Sequence, residues 1–248
     1  NYLLNKYACD EDYSLFVFKQ SLKYYNFDFI QHQLINSDIF YDLCRNGYFV
    51  LVNSILQTDK NIDINKRNLK VDNDDDDKSI KKEKTALFSA CEKGYFEIVQ
   101  LLLNQENIDV NKKSFIVINK NENELTSLYA ALTKGNMKIV HSLLNHKCID
   151  INLKSFVGKE QQTPLFTAIN FEYIEIIRFL INRNDIDINL ESSKIISEFN
   201  YDDNYQDDTY EFYKKITPLY QSVECENHEI IKLLLENKNI DVNIKSII

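Results

Sequence analysis

The sequence predicts an all-α solenoid of stacked helix pairs with β-hairpin fingers, because two motifs recur along it in fixed phase. The tetrapeptide Ile-Asp-Ile/Val-Asn begins at Ile62, Ile108, Ile149, Ile186 and Ile240. A second motif, Thr-x-Leu-aromatic, begins at Thr85, Thr126, Thr163 and Thr217, and each time the Ile follows its Thr by 23 residues. Chance does not hold two motifs in register four times, so the repeat is the unit of structure.

In chain order, residues 1–37 align weakly through Leu3, Ala8, Cys9, Phe16, Val17, Leu22 and Phe27 and are expected to form a degenerate capping unit. The next unit, residues 38–84, carries Ile39-Phe40-Tyr41, Gly47 and Leu51-Val52 ahead of Ile62. Units 85–125, 126–162 and 163–216 follow, and 217–248 is the last. In the clearest unit, Ala90-Cys91 and Ile98-Val99 with Leu101-Leu102-Leu103 lie on either side of Gly94. Apolar residues at helical spacing around a glycine read as two short helices joined by a turn. The expected pairs span Ala86–Asn104, Ser127–Asn145, Pro164–Asn182 and Pro218–Asn237. Each Thr is placed to cap a first helix, and Pro164 and Pro218 occupy the first helical position, where the missing N–H is harmless. A pair this small cannot bury its apolar face alone, so neighbours must stack.

Between units lie Lys66–Lys84, Lys112–Leu125, Leu153–Gln162 and Leu190–Ile216. Several open alike, as Lys113-Ser114-Phe115, Lys154-Ser155-Phe156 and Lys245-Ser246-Ile247. That β-prone start predicts hairpins, turning near Asn119–Asn123 and at Gly158-Lys159. Because Lys245–Ile248 opens such a finger, the natural chain is expected to continue beyond it.

Taken together, Thr-Pro-Leu-aromatic, the paired small residues, Gly, the Ile-Val helix and Ile-Asp-Val-Asn resemble ankyrin repeats. The resemblance covers nearly the whole chain. It implies a binding module whose partner meets the fingers, the residue before each Thr and the two residues before each turn glycine. Those positions are Lys84, Leu125, Gln162 and Ile216, and Glu92-Lys93, Thr133-Lys134, Asn170-Phe171 and Glu224-Cys225. Phe171 stands out, because an aromatic ring at such a place has no structural need to be there and rings dominate binding hot spots. The competing expectation is that enlarged fingers fold back and bury Phe171, Leu125 and Ile216.

The chain departs from the family in two ways besides finger length. The family's His after Leu is aromatic here, at Tyr41, Phe88, Tyr129, Phe166 and Tyr220, which is expected to build an aromatic ladder. Glu172 and Glu226 stand where Gly94 and Gly135 make the inter-helix turn, a strained place if it requires positive φ.

Composition excludes several functions. A net charge of −9 argues against nucleic acid, whose phosphates need a basic face. No segment is apolar enough for a membrane span. Five scattered cysteines, Cys9, Cys44, Cys91, Cys148 and Cys225, suit a reducing compartment, so the cytoplasm or nucleus is expected. Four glycines cannot build a phosphate loop. His141, His146 and Cys148 lack a second ligand pair. Asp72, Asp74, Asp76 and Glu83 mimic a calcium loop, but Asp77 takes the place of its sharp-turn Gly. Neither a metal nor any other cofactor is therefore expected. No nucleophile, base and orienting group assemble, so the chain is not expected to be an enzyme.

The expected function is a scaffold or adaptor for a protein partner, with a basic partner surface opposite the acidic runs Asp74–Asp77 and Asp202–Asp208 in the fingers. The alternative is the recruiting array of a larger enzyme whose catalytic domain lies elsewhere.

Overall fold

A computed structural model describes residues 36–58, 61–71, 81–118, 121–200 and 209–245. The expected capping unit, the Asp72–Asp77 run, the tip of the long insertion and the finger-opening Ser246–Ile248 lie outside these residues.

Helix pairs and hairpins alternate along the chain. The first pair is α1 (Ser37–Arg45) and α2 (Phe49–Thr58), followed by strands β1 (Asn68–Val71) and β2 (Lys81–Lys84). Next come α3 (Ala86–Lys93) and α4 (Phe96–Leu103), then β3 (Ser114–Ile118) and β4 (Asn121–Leu125). The third pair, α5 (Ser127–Thr133) and α6 (Met137–Leu144), leads to β5 (Ser155–Val157) and β6 (Glu160–Gln162). Helices α7 (Pro164–Asn170) and α8 (Ile174–Ile181) precede β7 (Ser192–Asn200) and β8 (Thr209–Ile216). The last pair is α9 (Pro218–Glu224) and α10 (His228–Leu235).

Each first helix starts where the sequence says it must. The hydroxyls of Thr85, Thr126, Thr163 and Thr217 accept the N–H groups of Phe88, Tyr129, Phe166 and Tyr220. Asn36 does the same for α1, accepting from Asp38 and Ile39. Such caps satisfy N–H groups that have no partner inside the helix. First helices stack on first helices and second on second. The interface admits this close approach because its contact residues are small, with Ala90, Ala131, Ala168 and Ser222 buried. Leu102, Leu143, Leu180 and Leu234 fill the space between the two helix layers and are fully buried.

The class all-α is too narrow, because the fingers are not separate hairpins. Strands β1 to β6 form one antiparallel sheet in sequential order, with β2 pairing β3 and β4 pairing β5 across unit boundaries. The reason is a match of spacings. Packed helices lie about 8–10 Å apart, and two strands occupy about 9.5 Å at roughly 4.8 Å each. A hairpin on every helix pair therefore leaves neighbouring hairpins one strand width apart. The β7–β8 hairpin stands as a second sheet. Where it meets β6, side chains replace carbonyls as acceptors: Ser193 Oγ accepts from the Gln161 N–H, and Glu160 Oε1 from the Ile195 N–H.

The Ile-Asp-Ile/Val-Asn motif stitches the stack. Asn111 donates from Nδ2 to the Cys148 carbonyl (2.7 Å) and accepts at Oδ1 from the Asp150 N–H (2.9 Å). Asn65, Asn152 and Asn189 make the same two bonds to Asn107 and Asp109, Asp185 and Asp187, and Asn239 and Asp241. Within each motif the Asp carboxylate accepts from the Asn N–H, which holds the amide in place. The repeated Ser of the finger openings is structural too. Ser114, Ser155 and Ser192 accept the N–H of Thr85, Thr126 and Thr163, closing each unit onto its own start.

The aromatic ladder is not formed. Among the described residues, no ring contact joins Tyr41, Phe88, Tyr129, Phe166 or Tyr220 to another of that set. The rings find other partners instead: Ser89 Oγ bonds Tyr41 Oη, and the ammonium groups of Lys84 and Lys214 sit over Phe88 and Tyr220.

Candidate concave binding surface

The ends of the first helices and one face of the finger sheet form a continuous surface. Its connection is electrostatic: Lys84 on β2 bonds Glu92 at the end of α3 at 2.6 Å. At the far end, Lys194 on β7 and Lys214 on β8 both approach Glu224 at the end of α9, each at 3.7 Å. Register places Lys82 on the same face as Lys84, and Glu160 on the same face as Gln162.

The helix ends are built by the inter-helix turn. Gly94 and Gly135 adopt φ of 78° and 64°, and Glu172 and Glu226 adopt 54°, so the strained conformation is present in both. The turn also packs on the next unit. A Cβ on Gly94 would lie 3.1 Å from Asn136 Nδ2, and one on Gly135 would lie 2.9 Å from Tyr173 Oη. Glu172 replaces that close approach with a hydrogen bond, accepting from Asn227 Nδ2 at 2.8 Å. The residue just before the turn points outward, which exposes Lys93, Lys134 and Phe171.

The sequence-derived positions separate into three groups. Lys93, Lys134, Asn170, Phe171 and Glu224 are exposed, while Glu92, Thr133, Gln162 and Cys225 are half-buried. Lys84 is largely covered, its side chain only 13% exposed beside Glu92. Leu125 packs partly against the core. Ile216 is fully buried and is withdrawn from the surface. It ends β8, where the hairpin turns into the cap of α9, and an apolar side chain there is driven inward. Fold-back thus describes Ile216 and, in part, Leu125. Phe171 is different: it remains 45% exposed and stacks flat on Tyr173, with centroids 5.6 Å apart.

The opposite face of the sheet is sealed by cations over rings. Arg67 lies 4.2 Å above Phe115 and Lys113 lies 4.3 Å above Phe156, each reaching from one finger to the next. The series stops at β7, which has Ser193 where β3 and β5 have Phe. Sequence reasoning missed Lys194 and Lys214 as part of the concave surface. They lie 20 residues apart in the long insertion, and only the β7–β8 register puts them opposite each other.

No reactive constellation appears among the described residues. Burial raises the pKa of the Cys44 and Cys91 thiols far above the usual range and also raises Tyr41 and Tyr129. Burial lowers Lys154, and the hydrogen bond from Arg183 holds Asp185 below the ordinary carboxylate value. None of these is paired with a nucleophile, base and orienting group. Among the described residues, no three His, Cys, Asp or Glu side chains converge on a metal position. His141 packs edge-on against Phe179, and His146 Nδ1 accepts the Cys148 N–H.

Comparison with known families settles the lineage. A model described as ankyrin repeats (3 copies) matches residues 113–192, and models described as ankyrin repeat match 82–115 and 214–244. The chain belongs to the ankyrin-repeat family. The matched segments cover more than half of this ankyrin array, and they leave out residues 193–213, most of the long β7–β8 finger. A comparison with curated proteins found no match. Ankyrin repeats are in general protein-interaction modules and typically not catalytic, and among the described residues no helix is long and apolar enough to cross a membrane.

Proposed function

We propose that this ankyrin array is a non-catalytic scaffold whose protein partner lies along the concave surface. One observation carries the reading: Lys93, Lys134 and Phe171 repeat at one structural position, are exposed, and contribute little to the stack that the asparagines and leucines hold together. Side chains kept outward at a recurring position on a rigid framework are available for recognition. The aspartate runs from which a basic partner is expected lie outside the described residues. On the described part of the surface Lys82, Lys84, Lys93, Lys134, Lys194 and Lys214 stand beside Glu92, Glu160, Glu172, Glu224 and Glu226, and this excess of cations supports an acidic partner there. Among the described residues four cysteines are free thiols, two of them buried, which supports a reducing compartment, cytoplasm or nucleus.

The test is retention of a partner by the immobilised array, compared between concave variants (Lys134→Ala, Phe171→Ala) and variants on exposed second-helix positions (Lys138→Ala, Glu175→Ala). Loss confined to the concave variants, with unchanged melting temperatures, is the expected outcome. Loss confined to the second-helix variants would place recognition on the convex side.

A further inference from the structure

The residue just before each inter-helix turn forms a stripe along the concave surface, read unit by unit as Lys93, Lys134, Phe171 and Cys225. Lys93 and Lys134 are exposed, and no carboxylate is paired with either among the described residues. Phe171 lies next in line, backed by the stacked ring of Tyr173. Beyond it, two lysines, Lys194 and Lys214, share the single carboxylate of Glu224. In a chain of net charge −9, this groove is a cationic strip with one aromatic platform.

We infer that the strip binds an extended acidic peptide segment, with carboxylates facing Lys93 and Lys134 and a large apolar side chain on Phe171. The inference rests on the scaffold reading and adds to it the chemistry of the partner. Spacing makes it specific. Adjacent units repeat every 8–10 Å or so, and a peptide in the extended polyproline II conformation advances about 3.1 Å per residue with three residues per turn, which keeps every third side chain on one face. Every third partner residue therefore meets the next unit. The recognised pattern is two Asp or Glu residues three positions apart, with Leu, Phe or Tyr three positions beyond the carboxylate that faces Lys134. Opposite charge across the groove steers encounter and excludes basic segments. A nucleic acid, the other polyanion, is disfavoured because the acidic remainder of the chain repels its phosphates.

Selection of a random 12-residue phage-displayed peptide library on the full 248-residue chain tests this, with hydrogen exchange locating each selected peptide. The expected result is enrichment of the acid-x-x-acid-x-x-apolar spacing and protection of α3, α5 and α7. The double reversal Lys93→Glu/Lys134→Glu should weaken such a peptide about tenfold or more and flatten its salt dependence. Phe171→Ala should weaken it to a similar degree without altering the salt slope. Neutral or basic peptides that protect the same helices would overturn the acidic partner while leaving the scaffold reading intact. Peptides that protect only other surfaces, or none at all, would overturn both. Oligouridylate displacing the selected peptide at lower concentration than the peptide itself would also overturn the proposal, in favour of nucleic acid.

Discussion

The units spanning residues 85–162 and those spanning 163–245 are held by the same stitching but differ in everything attached to it. Asn111 and Asn189 make equivalent pairs of bonds, and Thr85 and Thr217 make equivalent caps. In the first region the turns are Gly94 and Gly135, and the fingers fuse into one sheet with cations sealing its outer face. In the second the turns are Glu172 and Glu226, forced to positive φ, and the finger is a separate hairpin of nine- and eight-residue strands. The difference teaches that backbone-directed groups fix the stack. Turn and finger chemistry is then free to vary, and the left-handed Glu172 and Glu226 predict lower stability in the second region.

Core truncation probes that gradient most strongly. Leu143 and Leu234 are equally buried, one in each region. Leu143→Ala should cost about 3–5 kcal/mol and Leu234→Ala about 2–3 in urea unfolding, because a site beside strained turns and a separate finger relaxes more. Equal losses would remove the gradient. The turns give a smaller effect. Gly135→Ala keeps φ at 64° and brings a methyl group against Tyr173 Oη, so a loss of about 1–2 kcal/mol is expected in the same assay.

The reverse change inverts the sign. Glu226→Gly relieves about 1–2 kcal/mol of left-handed strain and adds about 0.4–1 kcal/mol of unfolded-state entropy, leaving a gain near 0.5–1. A loss instead would show that the Glu226 side chain stabilises the turn by some other route. Phe171→Ala should be the smallest, within about 0.5 kcal/mol, since the ring is 45% exposed and its chief neighbour is Tyr173. A fall in melting temperature of several degrees would make the ring a core element and remove it from the binding surface.

What the sequence alone determined is the set of features whose cause is local. The Thr cap, the Pro at the first helical position, the turn at Gly94 and the Gly158-Lys159 hairpin each act within a few residues, so each is legible in a short window. Even the strain at Glu172 and Glu226 was legible, because their place relative to the Thr is that of a turn glycine. Tertiary structure decided what depends on units meeting. Fusion of the hairpins into a sheet follows from the match between helix and strand spacing. Burial of Ile216 follows from where β8 joins α9, and the Lys194, Lys214 and Glu224 cluster from cross-strand register. The repeated Asn and Ser were visible as a pattern, but their partners lie about 30 to 50 residues away on average. A motif records that a side chain is needed; only the stack supplies the carbonyl or N–H that it meets.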